Sequence, residues 1–372
     1  MSTLGGTSVC PVTEDCIELC EEYGLSLKPI ARIKISIPLP CVIPHEKVIS
    51  NWEIMEKLRG FIKPCEFSYL KVIKTTPECL RYEGEIYNSH QLSDVINLLN
   101  GRVVKLSGLT ESFKIRAVEA KLYFPSQFEW DRYFAGEFQA HENEPGFRPD
   151  TVHISGLPCK WFTRVHRDRL ERYEHWKNSG SSAPDPMNDW KSIKDPSDPE
   201  LDVVESVFSS FGPIRAIDIP ILDPYSRRKE DSLFEKDSQG GIGTFSTFNS
   251  PSSCMTFDVF VQYEDYTGFA CLMQTLRNKR IMYTSVDGKS YSAMIKVDFD
   301  RTAHMSEKNV LKRKMDALEL KALEEERAAK KRKEREEERK LKESKRLISP
   351  INLACLKLAN NILVFFLNMF VE

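Results

Sequence analysis

His153 and Phe260 are the side chains in this sequence best suited to recognition chemistry. They sit in two short apolar stretches, Val152–Leu157 and Phe257–Tyr263. If both stretches are strands, alternate residues face opposite sides. His153, Asp258 and Phe260 then share one side, and Val259, Val261 and Tyr263 form core on the other. Exposed aromatic rings on a sheet each stack a nucleic-acid base, at about 1–3 kcal/mol per base. Imidazole is the poorer platform, and Asp258 repels phosphate. The face fits two readings: weak base stacking by His153 and Phe260, or a surface that binds protein or is covered. A second group, Lys160, Trp161 and Arg164, opens a stretch where His166, Arg167, Arg169 and Arg172 alternate with Phe162, Tyr173 and Trp176. Cations interleaved with aromatics suit single-stranded nucleic acid. The plainer reading is a mobile surface loop.

Other chemistry finds little support. No Ser/His/Asp grouping, zinc-protease motif or nucleophile elbow occurs, so the chain is not expected to be an enzyme. Gly240-Gly241-Ile242-Gly243 lacks the strand–turn–helix setting of a phosphate cradle. Ten cysteines form no Cys-x-x-Cys pair. Cys10, Cys16 and Cys20 have no partners at zinc spacing, so neither metal nor cofactor is expected. The opening residues lack the basic start and apolar run of a secretory leader, which points to a reducing, intracellular setting. The formal net charge is −2. Residues 306–346 hold 16 Lys/Arg against 11 Asp/Glu, so the rest of the chain is acidic. Any RNA contact must therefore be local, or assisted by the basic segment.

The elements that must position these groups follow from periodicity. Ile33, Ile35 and Ile37 alternate with Arg32, Lys34 and Ser36, predicting a strand over Ala31–Leu39. Ser50 or Asn51 caps a helix reaching about Ile62, with Trp52, Met55, Leu58 and Ile62 on one face. Strands Phe67–Lys74 and Cys79–Ile86, a helix His90–Leu99, and strands Val103–Leu106 and Ile115–Phe124 complete a β-α-β-β-α-β order. The order recurs as strand Val152–Leu157, helix Leu201–Phe211, strands Ile214–Ile219 and Phe257–Tyr263, helix Tyr266–Leu276 and strand Ala293–Phe299. Residues 223–254 read as flexible.

The expected fold class is α+β: two ferredoxin-like domains of the RNA-recognition-motif (RRM) type, followed by a long charged helix. The expected layout is a flexible N-terminus 1–27, a first domain 28–125, a linker 126–149, and an RRM domain 150–300 with a long insert 159–200. A charged helix or coiled coil 306–346 follows, then an apolar, atypical tail 347–372. Within the helix, Lys330-Lys331-Arg332-Lys333 with Arg335 reads as a nuclear-import patch. Leu311, Met315, Leu318 and Ala322, spaced 4, 3 and 4, make an apolar stripe. That stripe suits a partner groove, another helix, or packing back on the RRM. The densest run of the tail, Ile362–Leu367, is too short to span a membrane.

Three stretches carry RRM character in the right order. Val152–Leu157 matches the first-strand RNA-contact signature. Phe208–Ile214 matches the helix-to-strand corner, and Phe257–Tyr263 the second half of the third-strand signature. More specific still are Glu22-Tyr23-Gly24-Leu25, Ile49-Ser50-Asn51-Trp52-Glu53, Lys105-Leu106-Ser107-Gly108, Asp218-Ile219-Pro220 and, most distinctively, Arg148 to Phe162. In these stretches the chain resembles the A-kinase anchor protein 17A family of RRM-containing splicing factors. The resemblance implies alternative splice-site selection on pre-mRNA, contact with splicing proteins, and residence in nuclear speckles. It also implies recruitment of cAMP-dependent protein kinase through helices that grip its regulatory subunits. The family's charged helix is longer and leads into an Arg/Ser-rich tail, so the sequence reads as a truncated isoform expected to capture the kinase weakly or not at all.

Overall fold

The computed structural model describes residues 7–39, 50–76, 78–107, 111–137, 144–179, 198–223 and 256–369. Residues 1–309 form one compact unit and residues 310–372 a second. The glycine run at 240–243, the rest of the stretch 224–255 and residues 180–197 of the insert lie outside the described residues.

The chain opens with strands β1 (Ser8–Val9), β2 (Ile17–Cys20) and β3 (Leu25–Pro29). The first ferredoxin-like fold runs through β4 (Ala31–Pro38), α1 (Asn51–Phe61), β5 (Phe67–Thr75), β6 (Cys79–Ile86) and α2 (Leu92–Leu99). A hairpin of β7 (Val103–Lys105) and β8 (Ser112–Lys114) then leads into β9 (Arg116–Glu119). The sheet order is β5-β6-β4-β9, antiparallel throughout. Ile33, Ile35 and Ile37 point inward against Ile54 and Leu58 of α1 and Val95 and Leu99 of α2. Ser50 caps α1, its Oγ accepting from Glu53 N at 3.3 Å. Trp52, expected on the inward face, is 69% exposed. Ile54, Leu58 and Ile62, each four residues apart, hold the inward stripe instead.

Helix α3 (Gln127–Glu137) precedes the second ferredoxin-like fold. That fold runs through β10 (Thr151–Pro158), α4 (Val165–Ser179), α5 (Leu201–Ser209), β11 (Ile214–Asp218), β12 (Thr256–Tyr263) and α6 (Tyr266–Leu276). The hairpin β13 (Lys279–Thr284) and β14 (Ser290–Ala293) comes next, then β15 (Lys296–Phe299). The order β11-β12-β10-β15 repeats that of the first sheet. The fold class is thus α+β, two ferredoxin-like domains followed by a long charged helix, α7 (Glu307–Met369).

Several boundaries differ from the expected ones. Residues 8–29 are not a loose lead-in but three strands of a five-stranded sheet, β1-β14-β13-β3-β2. Its other two strands are the hairpin of the second fold. Tyr23, Leu25 and Leu27 drop into the second core because their spacing puts them on one side of the chain. The segment 126–149 is more than a linker: Trp130 and Phe134 of α3 are buried in that same core, Trp130 edge-on to Phe269 at 5.6 Å. The expected strand Ala293–Phe299 is two strands, with the turn of the preceding hairpin at Asp287-Gly288, where Gly288 has φ 78°. Finally, α7 continues through Pro350 to Met369 rather than ending near Arg346. A proline removes one donor, and the leucines and alanines beyond it are good helix formers. Among the described residues no helix is long and apolar enough to cross a membrane.

Candidate nucleic-acid interface

The register of the second sheet lines up four outward side chains across its four strands. Asp218 of β11 stands opposite Phe260 of β12, Phe260 opposite His153 of β10, and His153 opposite Asp298 of β15. Core residues on either side of each fix this orientation, since Ile154, Val259, Val261 and Val297 point inward. His153 and Phe260 stack directly, ring centroids 4.3 Å apart and planes 5° from parallel.

The pair is not an open platform. His304 stacks on the Phe260 ring at 3.9 Å and 14°. Its Nε2 lies 2.6 Å from Asp218 Oδ2. The chain beyond β15 delivers it there. Asp300 accepts from the amides of Thr302 at 2.8 Å and His304 at 2.6 Å, closing a tight turn. Ala303 takes φ 49°, and its carbonyl is held by Ser306 Oγ at 2.7 Å and Asn309 Nδ2 at 2.8 Å.

Asp258, the residue that looked hostile to phosphate, has structural work on this face. A bulge between Ile154 and Leu157 leaves Gly156 at φ 85°, where a side chain would be strained. The freed Gly156 amide donates to Asp258 Oδ1 at 3.2 Å, and His153 Nε2 lies 3.5 Å from Oδ2. Burial pushes the Asp258 carboxyl up, but these partners outweigh it and hold the group below the usual carboxylate range. With Asp218, Asp258 and Asp298 around it, the face is acidic; Arg301 pairs with Asp298 at 3.3 Å, and Lys296 stands opposite Ser155.

The second predicted group divides. Cys159–Trp161 is a short 3-10 turn that sends Lys160 outward and its neighbours inward. Trp161 is 6% exposed and stacks on Tyr283 at 5.6 Å, and Phe162 is fully buried, edge-on to Phe257 at 5.3 Å. The basic-aromatic pattern here is thus half core, and Trp161 is not available to a base. The reason is position: the residues directly after β10 must close the end of the hydrophobic layer. His166 is also buried, its Nδ1 3.1 Å from the Tyr283 hydroxyl, and burial together with Arg169 pushes its pKa down. Arg164 is exposed but occupied, paired with Glu200 at 3.2 Å and with Asp202. The segment is helical over Val165–Ser179 rather than a loop.

On α7, Leu311, Met315, Leu318 and Ala322 are exposed, as are Lys330, Lys331, Arg332, Lys333 and Arg335. Sequence reasoning missed Asp218, Asp298 and His304. The parity of β15 was enough to find Asp298. Asp300 two residues before Thr302 marks a turn, but nothing local says that His304 lands on Phe260.

Comparison with known proteins places these features in context. A family model described as AKAP-17A-like, RNA-binding domain, matches residues 83–339. The human protein A-kinase anchor protein 17A is 38% identical over 314 residues, covering 84% of this chain and 40% of the relative. The chain therefore spans about two fifths of the length of that curated relative. Among solved structures, the N-terminal three RNA binding domains of the yeast splicing factor Prp24 match at 11% identity. That match covers 72% of this chain and 65% of the other, with a TM-score of 0.15.

Proposed function

The chain belongs to the AKAP-17A-like RNA-binding-domain family, and from that premise we propose that it is a non-enzymatic adaptor in pre-mRNA splicing that influences splice-site choice. One observation carries the reading: an RRM-type sheet inside the matched region sets His153 and Phe260 side by side on its two central strands. Aromatic rings on the two central strands are where a sheet of this type stacks bases. His153 and His304 stack on Phe260, so this contact is gated: a base takes the place of the His304 imidazole, and binding there is weak. Splicing proteins are the other partners of the adaptor. Regulatory subunits of cAMP-dependent protein kinase are further candidates, docking on the stripe Leu311, Met315, Leu318 and Ala322.

Ultraviolet crosslinking of the full chain to pre-mRNA, read by sequencing the bound RNA, tests the proposal. Replacing His153 and Phe260 together with Ala lowers crosslinking, and His304→Ala raises it. Unchanged crosslinking in both variants removes the second sheet as an RNA contact. The other reading, a scaffold whose ferredoxin-like folds bind only proteins, is favoured by the covered, acidic face. It predicts no crosslinking even after His304→Ala.

A further inference from the structure

The two ferredoxin-like sheets share a strand order but not a charge. On the outer face of the first sheet, Lys74 of β5 is opposite Arg81 of β6, Arg81 opposite Ser36 of β4, and Ser36 opposite Arg116 of β9. Three of the four positions in this row are cationic, with strands spaced about 4.8 Å apart. The equivalent row of the second sheet reads Asp, Phe, His, Asp. The register shift between Val72 and Lys74 is what turns Lys74 to this side, because one extra residue in β5 restores its parity with Arg81. In the neighbouring row Lys34 of β4 adds a fourth exposed cation, opposite Glu83 and Val118.

These four cations are solvent-exposed, and no carboxylate lies within ion-pair distance of them among the described residues. Glu78 lies beside Lys74 and Arg81, while the other carboxylates of this face, Glu83 and Glu85, are already committed. Glu83 meets Lys71 at 3.1 Å and Arg32 at 3.7 Å, and Glu85 is held by Arg32 and by Arg280 of the second fold. The face thus ends in a strip of unneutralised positive charge on a chain that is acidic outside its long helix. Such local excess attracts a polyanion and releases its counterions.

We propose that Lys34, Lys74, Arg81 and Arg116 form a docking track for the phosphate backbone of single-stranded RNA. RNA is then held electrostatically on the first sheet, with no sequence selectivity, and presented to the gated rings of the second. The proposal rests on the RNA-binding reading above, but it needs no contact with His153 or Phe260.

Fluorescence anisotropy of the full chain with a labelled pool of random single-stranded RNA, titrated with salt, tests it. Lys34→Glu, Arg81→Glu and Arg116→Glu together weaken binding by about tenfold or more near physiological salt. They also lower the slope of log affinity against log salt by about 2, from roughly 0.7 per lost phosphate contact. The milder triple change of these residues to Gln gives the same direction and guards against a folding defect, which a thermal melt reports. Lys330→Glu, Lys331→Glu and Arg332→Glu make the same change in net charge on α7 and serve as the control. An equal loss in the control, or unchanged affinity and slope in the sheet variants, overturns the track while leaving RNA binding intact. If the wild-type chain binds poly-glutamate but no RNA, both the track and the RNA-binding reading fail.

Discussion

Asp15 and Lys28 form a buried ion pair, 2.8 Å apart and almost closed to solvent. Asp15 Oδ2 also accepts from the Ser89 amide at 2.9 Å, and Lys28 Nζ donates to the Val12 carbonyl at 2.5 Å. Burial raises the Asp15 carboxyl, but Lys28 and Ser89 outweigh it and leave the group below its ordinary value. Removing one member of such a pair leaves the other charge buried, at about 3–5 kcal/mol. Asp15→Asn is expected to cost about that much in urea denaturation. The pH dependence has a fixed sign. Asp15 releases its proton more readily folded than unfolded, so its stabilisation is full above an unfolded pKa of about 3.9. It is lost as the pH falls through the lower, folded value. Asp15→Asn should therefore flatten the acid limb of the stability curve. An unchanged midpoint with an unchanged acid limb would show that the pair contributes nothing.

At the scale of elements, α7 mixes two kinds of surface. Leu311, Met315 and Leu318 are about 60% exposed, on one stripe of about three turns. From Glu325 to Glu343 the helix is largely charged, held by pairs such as Lys340–Glu336 at 3.2 Å and Lys342–Glu338 at 2.6 Å. A stripe this short offers few anchors to a groove. Any capture of kinase regulatory subunits is expected to be weak and to depend on it. Met315→Pro, at its centre, breaks the helix at a cost of about 3 kcal/mol and abolishes the capture. Pull-down that survives this change sinks the stripe as the anchoring element. The first sheet shows the same economy in another form, since one bulge residue in β5 decides whether Lys74 joins its charged row.

In the compact unit as a whole, the N-terminal strands tie the two ferredoxin-like folds together. β3 runs through Ile30 directly into β4 of the first sheet, while pairing along β13 of the second fold from Lys279↔Pro29 to Tyr283↔Leu25. β1 closes the other edge of the hairpin, with Ser8 opposite Ser292. Arg280 of the hairpin reaches Glu85 of the first sheet. A chain lacking residues 1–20 is expected to lose more stability than Asp15→Asn, because Lys28 loses its partner and β14 becomes an open edge. Hydrogen exchange should quicken at Tyr291 and Ser292 while β6 keeps its protection. Equal exchange in the two chains would show that the N-terminal strands lie on the unit without supporting it.

The sequence by itself determined both four-stranded sheets, most helices and, for β4, β10 and β12, which residues turn outward. Alternation and helical spacing are local properties that burial enforces. For that reason His153 and Phe260 were legible as neighbours, and Val259, Val261 and Tyr263 as core. Only the tertiary structure decided what those outward positions meet. His304 reaches Asp218 across 86 residues of chain, the N-terminal strands find a hairpin more than 250 residues away, and Trp161 turns inward to Tyr283. Such contacts depend on how folded elements pack against one another, and no periodicity within a segment encodes its partner. The opposite charges of the two sheets lie between these cases. Every residue was visible in the sequence, but strand pairing and one bulge had to bring Lys74, Arg81 and Arg116 into a single row.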